Sequence, residues 1–534
     1  MTDQPAAEAE AQPMYALETD KPLYSSMVWR LQRTFYADQG IAAWSQSHVP
    51  QSVTTSPNIA NAYARIALGF LRDMRPTLDP AQPVFFVELG AGSGRFGYRF
   101  LKAFTNLLQE RSEVQQPFVY VMTDASPTVL EFWRDNPRLR PFVEVGLLDF
   151  AHFDLLDPSP LQLLVSGITL QHAGSNNPVI VVANYIFDSI PQDAVTITDG
   201  QLFANLVTIS ASTPDLDLTA PDSKVRIGIN FTTDTHPASI ADEPDTVLQH
   251  ILQVYCQRLN DTTILIPRAG IRCVNFFREL GAQRALFLVG DFGDAHEDEL
   301  QDHGPPGFGA GGSLWLPVNF HLLGEYTRQQ GGRARHPRGR HLSLNISMLV
   351  FGVDASVVSR AELAYADTVD LHGPDELAVV HRALSEQLPN LKLDVILALL
   401  RSTGWDPDYL SRCVPALLDE LPNAPQRLSL EMVHGIQQAW DQYYPIGEST
   451  DVPFGIGVLL YSLERYEPAL EFFERSLDDV GEDPRTTLNL AMTTYRLERR
   501  EETLHWLDRT LQLDPDNELA QKMRPDVAAE LAEQ

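Results

Sequence analysis

The chain has 534 residues, 44% of them hydrophobic, and a formal net charge of −31. That length calls for two or more domains, and that composition for a packed core. The charge argues against a nucleic-acid backbone or an anionic membrane as the main partner and suits a basic protein substrate, and no apolar run approaches membrane-spanning length.

Residues 1–22 begin with a stretch rich in Ala, Glu, Gln and Pro, without the apolar core of a signal peptide, and are expected to form a disordered tail. The cysteines, Cys256, Cys273 and Cys413, lie far apart and make neither a metal spacing nor a disulfide framework. With no targeting segment recognised, that fits a reducing compartment, the cytoplasm. Residues 23–75 read as helices and a loop. Next comes VFFVELGAGSGRFGYRFL, Val84 to Leu101. Its first six residues suit one buried strand, and Phe96, Phe100, Leu101 and Phe104 recur at helical spacing. Between them Gly90, Gly92 and Gly94 form a turn that lets backbone approach a ligand, at a helix start with free N–H groups.

Two registers of ligand motif overlap here. Gly92, Gly94 and Gly97 fit G-x-G-x-x-G, but this pattern begins three residues beyond the strand, whereas the dinucleotide fingerprint occupies the turn itself. The other register is acid-x-Gly-x-Gly-x-Gly at Glu88, Gly90, Gly92 and Gly94. An acid at the strand end would repel a pyrophosphate; it suits a ligand carrying an ammonium and a sulfonium.

FVYVMTDAS, Phe118 to Ser126, is the second strand; Asp124 at its end can accept two hydrogen bonds from ribose hydroxyls. FVEVGLLDF, Phe142 to Phe150, is read as a third strand ending on Asp149 and Phe150, where an adenine amino group could be bonded and its ring covered. Val179 to Ala183 is a buried strand, and the polar loop Asn184 to Asp193 follows its carboxyl end. In an open parallel sheet that position lies over the reactive end of a cofactor. Asn184, Asp188 and Asp193 are its candidate catalytic groups, with Tyr185 and Phe187 its aromatics. Strands with a Pro/Asp-rich interruption at 213–223 follow, then helices over 246–259 and 274–280 and a buried strand ending in GDFG at 284–294. The glycine-rich 304–312 stretch reads as a loop at the site, 314–330 as helix, the basic 328–340 stretch as a solvated hairpin tip, and 342–352 as a final strand.

From 371 onward the pattern is helical only. Within 449–534 a 34-residue period relates Tyr461 to Tyr495, Leu463 to Leu497, Leu470 to Leu504 and Leu477 to Leu511. That period resembles tetratricopeptide repeats, which dock protein segments. The expected domains are a mixed strand-and-helix unit over 23–360, a helical connector over 361–448 and the repeats over 449–534.

The first 355 residues resemble the MidA-like family of class I methyltransferases that use S-adenosylmethionine, which includes a mitochondrial complex I assembly factor that methylates a protein arginine. The stretches VTTSPNIANAYA, VELGAGSGRFG, ANYIFDSIPQDAV, LVGDFG and LPVNFHLLGEYTRQQGG carry the resemblance, in matching order and spacing. It implies an α/β fold with a Rossmann-like doubly wound sheet and S-adenosylmethionine as cofactor. Glu88, Gly90, Gly92, Gly94 and Asp124 would then hold the cofactor, and the loop Asn184 to Asp193 would face the acceptor. Tyr185 stands where the family's loop has a Glu, so one carboxylate that could pair a guanidinium is missing. Transfer needs mostly alignment in a site closed to water, with Asp188 and Asp193 as the candidates to orient a guanidinium. The alternative is an inactive methyltransferase fold acting as an adaptor through its repeats; a nicotinamide oxidoreductase does not fit the loop register.

Overall fold

A computed structural model describes residues 14–110, 116–171, 176–211, 229–307, 309–310, 314–341, 343–354, 359–371 and 373–533. The chain divides into two compact units, Met1–Thr55 with Ile59–Asp375, and Ser56–Asn58 with Glu376–Gln534. The boundary expected near 360 thus falls after Asp375. No described helix is long and apolar enough to cross a membrane.

The first unit runs through β1 (Tyr15–Pro22), α1 (Val28–Gln39), α2 (Pro57–Met74), β2 (Val84–Leu89), α3 (Arg95–Glu110), β3 (Phe118–Asp124), α4 (Pro127–Asp135), β4 (Leu148–His152) and β5 (Val179–Asn184). It continues through β6 (Asp193–Thr198), β7 (Gln201–Ala211), β8 (Ile229–Pro237), α5 (Thr246–Arg258), β9 (Thr262–Ile266), α6 (Arg268–Leu280), β10 (Ala285–Asp291), α7 (Phe320–Gln329), β11 (Arg333–Arg335) and β12 (Asn345–Phe351). The main sheet has seven strands in the order β11-β12-β10-β5-β2-β3-β4. From β10 to β4 neighbours are parallel; β12 runs antiparallel to β10 and to β11. All six residues of β2 are buried, as a central parallel strand with both faces covered requires. On one face Phe86 meets Phe100 and Phe104 of α3 at ring separations of 5.6 and 5.1 Å. That contact is why the i, i+4 phenylalanines form a helix there. On the other face Phe85, Val87 and Leu89 join a core with Val181, Val289 and Phe277. The chain passes from β2 to β3 on one side and later returns to place β5 on the other. The carboxyl ends of β2 and β5 therefore flank a topological switch point, where open α/β sheets bind ligands.

A second, antiparallel sheet is built on the long strand β7. β8 pairs with it along one edge, and β6 and β1 along the other; β9 extends β6. Residues 15–22 are therefore a strand rather than part of a disordered tail; residues 1–13 lie outside the described residues.

Three other expectations are corrected. The strand read over 142–150 is instead a short helix, Arg140–Glu144, with Pro141 in its first turn, followed by β4. Gly146 at φ 72° turns the chain between them. The helix read from 314 starts at Phe320, where the Asn319 side chain accepts the Leu322 N–H at 2.9 Å. The basic 328–340 stretch contains β11, the edge of the main sheet. Of the glycine-rich loop, Gly309–Ala310 pairs with Leu314–Trp315, and 308 and 311–313 lie outside the described residues, as does the 213–223 interruption.

The second unit is helical. Val452–Ser462, Tyr466–Val480, Pro484–Arg496, Arg500–Leu513 and Glu518–Ala532 pack each against the next. The turns inside the two pairs match, with Glu464 and Glu498 both left-handed at φ 58° and 61°. A Cβ on Gly457 would meet the Phe473 ring at 2.6 Å. In the second copy Ala491 and Leu507 hold those two positions, both fully buried, so a larger residue on one helix is matched by a smaller one on the other.

Candidate functional site

A cavity of about 730 Å³ opens at the switch point, within the range of small-molecule sites. Its floor is Leu89 to Ser93, and its flanks are Asp124 to Ser126 after β3 and Phe153 to Leu156 after β4. One wall is Asn184, Tyr185, Ile186 and Ser189 to Pro191, and α1 with Trp44 and Gln51 covers it. Gly90, Gly92 and Gly94 have φ of 54°, 52° and 78°, the left-handed region that costs other residues strain. A Cβ on Gly92 would stand 2.6 Å from the Trp44 ring. The turn is braced from below, because Trp133 Nε1 donates to the Gly92 carbonyl at 2.9 Å. Ser93 Oγ donates to Gln51 Oε1 at 2.9 Å.

Two carboxyls stand at this turn. Burial pushes Glu88 up to about 8, against a hydrogen bond from Tyr120 Oη at 2.9 Å, and the Asp124 charge adds to the rise. Burial also raises Asp124, although it accepts the N–H groups of Gly92 at 3.2 Å and Ser126 at 2.9 Å. Each Asp124 oxygen takes one of these bonds, so each keeps a lone pair for a ribose hydroxyl. Two acids whose ionisation is disfavoured, Glu88 buried and Asp124 half-buried, favour a ligand bringing positive charge. This set fits a ligand with an ammonium, a sulfonium and a ribose: glycine backbone at the turn, two acids, and space for an adenine. It does not suit a pyrophosphate.

The structure divides the remaining expected residues. Asn184 lines the cavity; its Oδ1 accepts Tyr63 Oη at 2.9 Å, and its Nδ2 is buried without a hydrogen-bond partner. Asp188 does not line it. Its carboxyl is buried, takes the Ser189 hydroxyl at 2.6 Å and is in hydrogen-bonding contact with Asp291. Asp193 is held outside by Arg268, Nε to Oδ2 at 2.9 Å, and Arg268 also pairs with Glu243. The role of Asp188 and Asp193 as groups facing an acceptor is corrected accordingly. Of the two aromatics, Tyr185 lines the wall and Phe187 is buried against Gly270.

Asp149 and Phe150 do not line the cavity either. β4 runs on to His152, so Phe153 and Asp154, not Asp149 and Phe150, reach the cavity. Asp149 accepts the N–H groups of Val165 and Ser166, both at 2.9 Å, and braces the following turn. Phe150 packs on Trp133, ring centroids 5.9 Å apart, and so backs the glycine turn from behind.

Sequence reasoning missed the cover. Trp29, Arg30, Arg33 and Tyr36 of α1 line the cavity, and Arg33 meets Asp154 at 2.7 Å. Tyr36 stacks on Trp44 at 5.9 Å. The signal was the density of aromatic and arginine residues in 24–36, more than a solvated helix face needs. Tyr63, on α2, was read only as part of a helix. Among the described residues no group of His, Cys, Asp and Glu is arranged to hold a metal ion.

Residues 65–306 match the model of a family described as "Putative S-adenosyl-L-methionine-dependent methyltransferase". No curated protein matches the chain. Among solved structures, a Burkholderia thailandensis protein bound to S-adenosyl-homocysteine is similar at 14% identity, over 65% of this chain and 91% of that one, with a TM-score of 0.39. A second structure, of an uncharacterized protein from the same organism, gives 14% identity over 64% and 90%, and a TM-score of 0.38. MamA from Desulfovibrio magneticus RS-1 is similar at 16% identity over 29% of this chain and 86% of that one, TM-score 0.25. At such TM-scores these likenesses define neither fold nor activity. The family match, on a unit whose site fits the ligand, makes the class of this protein an S-adenosylmethionine-dependent methyltransferase, with S-adenosylmethionine as its cofactor.

Proposed function

We propose that the cavity holds S-adenosylmethionine through Glu88, Gly90, Gly92, Gly94 and Asp124, and that a protein side chain accepts the methyl group at the wall of Asn184 to Pro191. The observation that carries this is a pair of carboxyls, Glu88 buried and Asp124 half-buried, beside a left-handed glycine turn at the switch point of the sheet. When bound, the cofactor supplies a methyl group already activated by its sulfonium. The chain's own work is alignment and exclusion of water. Asp124 would take the ribose hydroxyls, Glu88 would answer the positive end, and Trp44 with α1 would keep solvent from the turn. Phe153 and Asp154 border the space left for the adenine.

The family resemblance implies arginine as acceptor. A guanidinium would need a carboxylate on the wall, and Asp188 and Asp193 are engaged with Asp291 and Arg268. That observation favours a second reading, an adaptor that binds cofactor without transferring methyl. In either reading the helix pairs from Val452 act as tetratricopeptide-type repeats that bring a protein to the enzyme, and the cytoplasm is the compartment.

The full chain, incubated with methyl-labelled S-adenosylmethionine and the proteins that co-purify with it, tests the two. Label on a protein side chain supports transfer, and hydrolysis of the labelled protein names the residue. Cofactor binding without label in any protein supports the adaptor.

A further inference from the structure

The backbone of the cavity wall between Asn184 and Pro191 is anchored by a residue from outside the loop. Tyr185 sits at φ 53°, a left-handed conformation uncommon for a residue with a side chain. The next three residues, Ile186, Phe187 and Asp188, turn their backbone N–H groups onto a single oxygen, Asp291 Oδ2, at 3.1, 2.8 and 3.4 Å. Asp291 is the last residue of β10, adjacent to β5 in the sheet, and is fully buried. Three successive N–H donors converging on one oxygen make an anion-binding concavity, here filled by a side chain of the same protein.

The other oxygen of the same carboxyl, Asp291 Oδ1, is buried and has no hydrogen-bond partner. Against the Asp291 carboxyl stands the buried Asp188 carboxyl, whose own Oδ1 already accepts the Ser189 hydroxyl. Two buried carboxyls in contact cannot both be ionised without a large cost, and a proton between them gives the orphaned oxygen its partner. Burial and the neighbouring charge push Asp291 well above the carboxylate range, and burial raises Asp188 as well, so the pair holds a proton. Against that rise, three N–H groups on Asp291 and one hydroxyl on Asp188 favour the anion on Asp291, and the proton then resides on Asp188 and is donated to Asp291 Oδ1. A further titratable group facing Asp291 is the Tyr63 phenol of α2. It is buried, feels the Asp291 charge and is neutral at physiological pH, with its hydroxyl given to Asn184.

We propose that Asp291 is the positioning residue of the acceptor wall, an anion that fixes the backbone of 186–188 and through it Tyr185, while Asp188 serves as its neutral proton-donating partner. The proposal rests on the reading of this cavity as the methyl-transfer site. It gives the GDFG stretch at the end of β10 a task, and it explains why a carboxylate in the 184–193 loop faces inward. The two acids are not equivalent in this arrangement. Asp188→Asn replaces a donor that can be titrated by a permanent N–H donor. Asp291→Asn leaves one carbonyl oxygen to do the work of two carboxylate oxygens.

Amide-exchange protection of the 185–189 segment of the full chain, followed from pH 6 to 9, separates these roles. In wild type, protection should fall at least fivefold across that range as the shared proton leaves and the two charges repel. In Asp188→Asn it should stay level within twofold. In Asp291→Asn it should be at least tenfold lower at every pH, with S-adenosyl-homocysteine affinity falling about tenfold as well. Equal losses in the two variants, or the same pH response in wild type and Asp188→Asn, would overturn the proposal. If Asp291→Asn does not fold, the comparison of wild type with Asp188→Asn decides alone. Exchange is read on the free protein, so a chain that binds no S-adenosyl-homocysteine at all would sink the cofactor reading while leaving this test intact.

Discussion

At the glycine turn the backbone shapes the cavity and the acidic side chains line it, whereas along the 184–191 wall Asp188 turns away from the cavity and the backbone is held by Asp291 of β10. Glu88 and Asp124 stand at the turn, with their charge disfavoured until something cationic arrives. Asp188 and Asp193, in and just after the loop that follows β5, are already engaged by Asp291 and Arg268. A carboxylate near a switch point is thus a candidate ligand contact only where it lines the cavity and its protein donors leave lone pairs free, as at Asp124.

The largest effect should come from the turn itself. Gly92→Val forces a side chain into a left-handed position and into the Trp44 ring, so S-adenosylmethionine affinity should drop by about a hundredfold or more. Equilibrium titration reads this, and wild-type affinity in the variant would break the contrast between the two ends. Asp124→Ala removes the ribose contact and also two backbone acceptor bonds, for a loss of about 1–3 kcal/mol of cofactor binding.

Glu88 gives a pH signature. Its carboxyl keeps its proton up to about 8, against a usual value of 4.5, because it is buried. Between those two values the folded chain holds a proton that the unfolded chain has released, so the ligand-free protein loses stability as pH rises through that window. Glu88→Gln stays neutral throughout and should flatten the fall, which thermal melts from pH 5 to 9 would measure. A smaller effect, about 0.5–1.5 kcal/mol in acceptor-side stability, is expected for Tyr63→Phe, which releases Asn184. The smallest is Asp193→Asn. Lying outside the cavity in a part-exposed ion pair, it should change cofactor affinity less than about twofold. A larger change there would return Asp193 to the site.

Much of this was legible in the chain. The buried run from Val84, the three glycines and the phenylalanines at helical spacing specify strand, turn and helix locally, and the structure assembles them so. Asp124 was legible because a second strand of known length places its last residue at the sheet's carboxyl edge. β4 was misplaced because Phe142 to Phe150 alternates poorly, and Pro141 and Gly146, which decide the helix and its end, were not given weight. That shift of register put the expected adenine contacts on Asp149 and Phe150, which lie off the cavity, rather than on Phe153 and Asp154, which line it. The partners that capture Asp188 and Asp193 lie 103 and 75 residues away in sequence, and no local pattern reports such pairings. The cover from α1 and Trp44 was hidden for the same reason.

The central claim is that the cavity beside Gly90 to Gly94 is an S-adenosylmethionine site. Calorimetric titration of the full-length chain with S-adenosylmethionine, followed by displacement with S-adenosyl-homocysteine, tests it most directly. The account predicts saturable binding at one site, competed fully by S-adenosyl-homocysteine and unaffected by a nicotinamide dinucleotide. No binding of S-adenosylmethionine, or displacement by the dinucleotide, would contradict it.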